Sequence, residues 1–195
     1  VTPLGVDNFW RPSQHSLRSR ENHPYILFVG PRQGYKDFRT LVNALTSPFL
    51  ADARLIAVGP NATRDEHDCV HRLGLTDRVE IRSADDRQLR SLYRGASAFV
   101  MTSHYEGFGL PILEALACGA PVVLTDISAF REVAGDAASY FSAGESESLS
   151  LVLEQVLARN TGEQLTWRNV GFARTEEFSI AATAQKTVQA YAQLI

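Results

Sequence analysis

The sequence has little of several features that define whole classes of protein. Its two cysteines, Cys69 and Cys118, cannot form a disulfide framework and suit a reducing compartment. No apolar run approaches the length of about 18 residues that a membrane span requires, so we expect no transmembrane segment. The 19 basic residues are outnumbered by 22 acidic ones and form no block, whereas a nucleic-acid-binding protein usually carries a basic face. We therefore expect no nucleic-acid partner.

The remaining composition is that of a globular domain. Apolar residues make up 45% and charged residues 21% of the 195 residues, which supplies a core and a polar surface and excludes the disordered and fibrous classes. The chain starts at Val1 without a methionine, so we expect a piece of a longer protein. Residues 1–24 contain three prolines and little hydrophobic period, which predicts a lead-in or linker before a domain at residues 25–195.

From residue 25 onward, short apolar runs alternate with segments of helical period. The helical segments repeat apolar residues at i, i+3, i+4 and i+7, as between Phe38 and Leu45. This alternation predicts a doubly wound, Rossmann-like α/β domain, with a parallel sheet of about six strands covered by helices on both faces. The tail from Gln164 is predicted to be helical, with a terminal helix at residues 178–195. The predicted strands are residues 25–29, 55–58, 79–81, 98–101, 121–124 and 139–141.

A glycine-rich turn follows the fourth predicted strand. Gly107 and Gly109 form the turn, and Pro111 then stands at a first helical position, to which its fixed φ is suited. Gly119 fits the C-terminal stop of that helix. Ligands of such folds bind beyond the carboxyl ends of the strands, and a helix N-terminus attracts anions. The turn is therefore a candidate anion site.

Two carboxylates flank this turn. Glu106 lies just before it, and Glu114 lies in the second turn of the predicted helix. A carboxylate beside a phosphate repels it, so these side chains need another task. Binding the hydroxyl groups of a sugar or a ribose is the natural one, because ionised carboxylates are strong acceptors. The alternative is an ordinary strand–helix loop with two solvated glutamates.

A second candidate segment follows the first predicted strand and reads GPRQGYK, at residues 30–36. Its spacing is not that of a P-loop. It places Arg32 and Lys36 at the same edge of the sheet, facing the same crevice, in a chain that has 17 arginines and two lysines. A guanidinium and an ammonium group together would neutralise a diphosphate. A solvated basic loop is the alternative.

These segments together resemble the C-terminal, nucleotide-sugar-binding half of GT-B retaining glycosyltransferases of the GT4 type. The resemblance is carried by Glu106 and Glu114, in the E-x7-E arrangement within EGFGLPILEALACGAPVV. Supporting segments are PLGVD at residues 3–7, the FVG–Arg–Lys stretch at residues 28–36 and LRSLYRGASAFVMTS at residues 89–103. The resemblance covers nearly the whole chain.

The resemblance implies a role for each of these side chains. Arg32 and Lys36 would hold the donor diphosphate, although Pro31 separates the arginine from the glycine that it usually follows. Glu106 would position the hydroxyls of the transferred sugar, and Glu114 would bind the nucleotide ribose. Arg32, Lys36 and Glu106 are the predicted catalytic residues.

Other donor contacts are implied by the same resemblance. Backbone N–H groups of residues 108–110 would contact phosphate or sugar. Ser83 and Asp85, after the third strand, would border the base, but this segment lacks the family's usual glycine and is one residue short. The predicted donor-binding residues are Gly30, Arg32, Lys36, Ser83, Asp85, Glu106, Gly107, Phe108, Gly109, Leu110 and Glu114.

The implied function is donor binding within a hexosyltransferase that retains anomeric configuration. The donor would be a nucleoside-diphosphate sugar, and GDP-mannose is the sharper expectation because GYKDF resembles a segment of bacterial mannosyltransferases that build surface polysaccharides. The acceptor would be a glycan or a lipid-linked molecule, bound mainly by a second Rossmann-like domain preceding Val1, so the isolated chain would transfer sugar poorly or not at all. We expect a cytoplasmic enzyme. Any attachment to the inner membrane would be peripheral and would be made by that preceding domain.

No metal or other cofactor is expected. The chain contains no Asp-x-Asp pair, and no residue is an obvious covalent nucleophile. We expect a same-face displacement in which the leaving phosphate assists deprotonation of the acceptor. His67 and His71 stand at i, i+4 around Cys69, but no further zinc ligand follows at a recognised spacing, so a polar helix surface is the prediction there.

Several alternatives stay open from the sequence. A GT-B-like sugar-nucleotide epimerase or a phosphorylase would share the architecture, and a non-catalytic nucleotide-sugar-binding module would share the motif. A dinucleotide-binding oxidoreductase would need a GxGxxG that the first strand lacks. Among single residues, Asp85 is alternatively a helix cap, His104 either contacts the donor or is a polar loop residue, and Glu132 is expected to face solvent.

Overall fold

A computed structural model gives the fold of residues 5–11 and 24–192. Six parallel strands form one sheet in the order β3-β2-β1-β4-β5-β6. Most of the predicted lead-in, at residues 1–4 and 12–23, lies outside the described residues, as do the last three residues of the predicted terminal helix. The strands are β1 (Tyr25–Val29), β2 (Arg54–Val58), β3 (Val79–Arg82), β4 (Ala98–Met101), β5 (Val122–Thr125) and β6 (Ala138–Phe141).

The six predicted strands are confirmed, with bounds that differ by one residue at most. Their short apolar runs arise because the inner strands are buried on both faces, as expected of a parallel sheet. Leu27 of β1, for example, lies between Ile56 of β2 and Phe99 of β4 in the register of the sheet. The predicted Rossmann-like α/β class is therefore the observed one.

The part of the chain that the structure describes contains eight α-helices, six of which pack on the two faces of the sheet. Their bounds are α1 (Phe38–Ala44), α2 (Arg64–Arg72), α3 (Asp86–Gly95), α4 (Leu110–Ala117), α5 (Ser128–Ala134), α6 (Ser146–Ala158), α7 (Thr161–Glu176) and α8 (Ile180–Ala192). The tail is helical as predicted, and the terminal helix predicted from residue 178 is α8, separated from α7 by residues 177–179. Capping boxes begin α2 at Thr63, α3 at Asp85 and α7 at Asn160, so each of these N-termini has its first donors satisfied.

Two apolar clusters lie on opposite faces of the sheet. One packs α1, α2 and α6 against side chains such as Phe28 and Val100. The other packs α3, α4 and α5 against side chains such as Leu27 and Phe99. Alternate residues of a strand point to opposite faces, so each buried strand contributes to both clusters.

The strand order reverses between β1 and β4. Chain connections run outward from this pair, towards β3 on one side and β6 on the other. In open α/β sheets, a crevice forms at such a reversal, beyond the carboxyl ends of the two strands. The loops after β1 and β4 therefore flank the crevice, and these loops carry the two segments that the sequence singled out.

The described part of the lead-in, residues 5–11, packs against the domain. The Val6 N–H donates to the Phe178 carbonyl (2.8 Å), and the Cys118 thiol donates to the Trp10 carbonyl (3.1 Å). Burial raises the pKa of Cys118 to about 12, so its proton is retained near neutral pH. The Arg90 guanidinium also binds a carbonyl of this segment, that of Arg11. The segment is thus held by α3, by the end of α4 and by the turn between α7 and α8.

Among the helices of the described residues, none combines the length and the apolar character that a membrane crossing requires.

Candidate functional site

An ion pair joins the two loops at the strand-order reversal. The Lys36 ammonium donates to Oε1 of Glu106, and each side chain is only 12% exposed. The Ser103 hydroxyl donates to the same carboxylate oxygen (2.8 Å). We call Lys36, Ser103 and Glu106 the switch-point cluster. Its two charges compensate each other, and both lie where a ligand of this fold class would bind.

The β4 loop is fixed to the β1 loop by two further hydrogen bonds. The Thr102 hydroxyl donates to the Lys36 carbonyl (2.6 Å), and the His104 N–H donates to the Tyr35 carbonyl (2.8 Å). Thr102 and Ser103 are buried although both are polar. The switch-point cluster is therefore held by backbone contacts as well as by its ion pair.

The N-terminus of α4 follows directly, and Gly109 is the residue that allows it. Gly109 is the N-cap with φ of 96°, and a Cβ atom there would lie 2.9 Å from Cδ1 of Ile112. No side chain of the described residues caps this helix end, unlike the ends of α2, α3 and α7. The predicted helix over Pro111 and its stop near Gly119 are confirmed. An uncapped helix end beside Lys36 is suited to an anion.

The other residues of the predicted turn lie at the surface of the crevice region. Gly107 and Leu110 are exposed, whereas Phe108 is half-buried with its ring edge-on to Phe178 at a centroid distance of 5.8 Å. Gly30 directly follows β1 with φ of 125°, and its N–H donates to the Val58 carbonyl. The turn is thus anchored by the Phe108 ring, and the residues before and after Phe108–Gly109 are exposed to solvent.

Glu114 lies one turn into α4 and is half-buried. Its Oε2 accepts a hydrogen bond from the Tyr93 hydroxyl of α3 (3.1 Å). Burial raises the pKa of Glu114 above its usual range, the Tyr93 hydrogen bond opposes this, and the nearby charge of Asp86 adds to it. Burial thus disfavours the ionised form of this carboxylate, and the Tyr93 hydrogen bond offsets part of that effect.

The raised pKa gives a pH-dependent prediction for Glu114→Gln. A raised folded-state pKa stabilises the fold below the ordinary value of 4.5, and that contribution is lost as the pH rises through the raised value. We expect Glu114→Gln to unfold at a higher temperature than the unchanged chain at pH 7, with the difference vanishing below about pH 4. Calorimetric melting between pH 3 and 8 measures this. An equal difference at every pH would contradict the assignment of the raised pKa.

Arg32 does not face the same crevice as Lys36, contrary to the prediction. Its side chain is 2% exposed and binds Glu66 (3.0 Å) and the carbonyl groups of Pro60 (2.7 Å) and Asn61 (3.1 Å). These partners follow β2, whereas the partner of Lys36 follows β4, and β1 lies between the two strands. The two cations therefore diverge on either side of β1.

The reason is the capping carboxylate of α2. Burial acts to raise the pKa of Glu66, but hydrogen bonds from the Thr63 N–H and from Arg32 outweigh it and leave the pKa below its usual value. A buried guanidinium needs such a charged partner. In this conformation Arg32 joins the β1 loop to the β2 loop.

Ser83 and Asp85 lie after the edge strand β3, and both are exposed. Asp85 Oδ1 accepts from the Gln88 N–H (2.8 Å) and caps α3, which confirms the alternative that the sequence left open for this residue. Helix α3 then brings Tyr93 to Glu114. The segment is thus connected to the site through α3.

His104 forms a contact that the sequence did not suggest. Its Nε2 lies 2.9 Å from Oδ2 of Asp37, which caps α1 and has the left-handed backbone conformation (φ 44°). This pair lies beside the switch-point cluster, since Asp37 follows Lys36 directly. Asp37 was missed because a single aspartate before a helix carries no signal beyond capping.

The histidine pair of α2 and Glu132 of α5 were the remaining residues considered from the sequence. Within residues 5–11 and 24–192, no group of three or more His, Cys, Asp or Glu side chains is arranged to hold a metal ion. His67 and His71 are exposed on α2, as the prediction of a polar helix surface requires. Glu132 is exposed on α5, also as predicted.

Comparison with known proteins identifies the family. The sequence profile described as "Glycosyl transferases group 1" matches residues 11–169. The chain belongs to this family. It is a group 1 glycosyltransferase sequence with the GT-B type of architecture that the resemblance implied.

Individual relatives agree with this membership. The glycosyltransferase chain is 37% identical over 110 residues to O-antigen chain mannosyltransferase B of Escherichia coli, which covers 54% of the chain and 28% of that protein. It is 35% identical over 154 residues to a D-inositol 3-phosphate glycosyltransferase of Xylanimonas cellulosilytica, covering 70% and 37%. Sucrose-phosphate synthase of Thermosynechococcus elongatus superposes with a TM-score of 0.83 at 26% identity, covering 99% and 52%. The chain thus spans about half or less of the length of each.

Proposed function

We propose that this chain is the donor-binding domain of a retaining glycosyltransferase of the GT4 type. The observation that carries the proposal is the switch-point cluster, in which Lys36 and Glu106 are paired at the strand-order reversal beside the uncapped N-terminus of α4. A cation, a helix N-terminus and a carboxylate together suit a ligand that has both a diphosphate and sugar hydroxyls.

In this proposal, Lys36 and the N-terminus of α4 hold the donor diphosphate. When a donor enters, the Lys36 ammonium exchanges part of its contact with Glu106 for a phosphate oxygen. The Glu106 carboxylate is then free to accept from hydroxyls of the sugar, while the Ser103 hydroxyl keeps it in position. Pairing the two side chains before the donor arrives offsets part of the cost of burying them.

Glu114 is proposed to accept from the ribose hydroxyls, and Ser83 and Asp85 to border the base. Glu114 is on the same helix whose N-terminus faces the diphosphate, about one turn further along. Arg32 is proposed to support the β1 loop through Glu66 rather than to contact the diphosphate from its present position.

The reaction we propose breaks the bond between the anomeric carbon and the diphosphate oxygen. The bonding electron pair goes to that oxygen, where Lys36 and the helix N-terminus stabilise the developing negative charge. The acceptor hydroxyl forms the new bond on the same face of the sugar, and its proton passes to the leaving phosphate. Configuration at the anomeric carbon is thereby retained.

The proposed sugar is mannose, carried by GDP, and the proposed process is the synthesis of a surface polysaccharide. Support comes from the GYKDF segment and from the mannosyltransferase of Escherichia coli among the relatives. The acceptor, a glycan or a lipid-linked molecule, would bind mainly to a domain outside this chain. We propose a cytoplasmic enzyme whose attachment to the inner membrane, if any, is peripheral and through that domain.

Calorimetric titration of this chain with GDP, UDP and ADP, each with and without EDTA, tests the proposal. We expect one of the three nucleotides to bind selectively, without dependence on metal. Glu114→Ala should weaken that binding about tenfold, since it removes hydrogen bonds to a charged group. Glu132→Ala, which removes an exposed carboxylate of α5, is the matched control. Binding of none of the three, or binding that Glu114→Ala leaves unchanged, would contradict the donor site.

A further inference from the structure

Tyr93 is a fully buried tyrosine whose hydroxyl donates a hydrogen bond to a carboxylate. The residue is 0% exposed, and its hydroxyl donates to Oε2 of Glu114. Its ring lies edge-on to Trp10 (5.8 Å between centroids) and to Phe99 (5.3 Å). Rings packed on two sides cannot turn freely, so the position of the hydroxyl oxygen is fixed by the core.

Another buried tyrosine shows what an ordinary structural hydroxyl does here. Tyr25 is 4% exposed, and its hydroxyl donates to the backbone carbonyl of Leu92 (2.7 Å). A backbone carbonyl satisfies a buried hydroxyl without bringing a charge into the interior. Tyr93 instead brings its hydroxyl to a half-buried carboxylate that burial makes harder to ionise. Carboxylates whose ionisation is disfavoured in this way are concentrated at functional sites.

The hydrogen bond leaves one oxygen of Glu114 for a ligand. Oε2 is occupied by Tyr93, and the hydrogen bonds found within the described part of the chain do not engage Oε1. A free glutamate side chain loses conformational entropy when it is fixed. Tyr93 fixes the carboxylate before any ligand arrives, so the ligand meets an oriented acceptor.

We propose that Tyr93 is the positioning residue for Glu114 and thereby sets the preference of the site for a ribose over a sugar that lacks the 2′ and 3′ hydroxyls. This inference rests on the proposed function, because it takes Glu114 to be the ribose acceptor. Tyr93 itself does not touch the nucleotide. It acts by holding Oε2, so that Oε1 accepts from the two ribose hydroxyls.

Tyr93→Phe tests this, because it keeps the packed ring and removes only the hydroxyl. Tyr25→Phe is the matched control, because it removes a buried tyrosine hydroxyl that donates to the Leu92 carbonyl on the same helix and not to Glu114. The probes are GDP and 2′,3′-dideoxy-GDP, titrated calorimetrically. We expect the unchanged chain and Tyr25→Phe to prefer GDP about tenfold, and Tyr93→Phe to lose most of that preference through weaker GDP binding alone.

A measurement without ligand accompanies the titration. The carboxyl group of Glu114 is followed by ¹³C NMR as a function of pH, and its pKa should rise further in Tyr93→Phe but not in Tyr25→Phe, since the Tyr93 hydrogen bond lowers it. An unchanged GDP preference in Tyr93→Phe, or an equal loss of affinity for both probes, would overturn the positioning role. If the unchanged chain binds none of GDP, UDP and ADP, the proposed function fails and this inference fails with it, whatever the NMR titration shows.

Discussion

Lys36→Met should weaken the affinity of this chain for GDP by about ten- to a hundredfold. A hydrogen bond to a charged group contributes about 1.5–3 kcal/mol, and each 1.4 kcal/mol changes a dissociation constant about tenfold. Methionine keeps much of the length and apolar stem of lysine but removes the charge. Calorimetric titration with GDP measures the change, and guanosine, which lacks phosphate, should bind Lys36→Met as it binds the unchanged chain.

Arg39→Met is the control for the general loss of a positive charge. Arg39 is exposed on α1, three residues from Lys36. Its removal lowers the net charge equally but leaves the switch-point cluster intact, so GDP affinity should change less than about twofold, as screening of surface charges implies. Equal losses in Lys36→Met and Arg39→Met would show a diffuse electrostatic effect and would contradict a diphosphate contact by Lys36.

Lys36→Met should also lower the free energy of unfolding by about 3 kcal/mol, because it leaves the Glu106 carboxylate buried without its partner. Both side chains are 12% exposed, so water cannot replace the lost ion pair fully. The double variant Lys36→Met/Glu106→Gln removes both charges and should recover stability to within about 1 kcal/mol of the unchanged chain. Urea unfolding of the single and double variants provides these values.

The exposed pair of Arg82 and Glu80 serves as the matched control for that cycle. Nη1 of Arg82 lies 3.1 Å from Oε1 of Glu80, but the two side chains are 44% and 39% exposed. Arg82→Met should therefore cost less than about 1 kcal/mol. A double variant as unstable as Lys36→Met would mean that packing rather than charge holds the two loops together.

The sheet and most helices could be predicted because their signals are local. Each inner strand is a short apolar run bounded by polar residues, and α4 lies between Gly109 and Gly119 in a pattern typical of helix ends. The terminal helix predicted from residue 178 corresponds to α8, which begins at Ile180.

The candidate site was predicted in part, and the missing part depends on contacts between distant residues. The sequence predicted that the loops bearing Lys36 and Glu106 lie at the ligand-binding edge, since both follow strands. It did not indicate that these two side chains pair with each other. The sequence also did not indicate the ion pair of Arg32 with Glu66, because Glu66 is equally well explained as the second member of a capping box. Pairings of this kind are decided by tertiary structure.

The sequence distance between Lys36 and Glu106 has a consequence for folding. The two residues are 70 positions apart, and they meet only because β1 and β4 are neighbours in the finished sheet. A partly folded chain that has built β1, β2 and β3 holds the cation without its carboxylate. Nucleotide binding of the proposed kind would therefore be confined to the native state. A free ligand concentration of about 100 times the Kd would stabilise that state by about 2.7 kcal/mol. Closure of the non-local β1–β4 pairing, a slow event in sheets of high contact order, is then the step that creates the site.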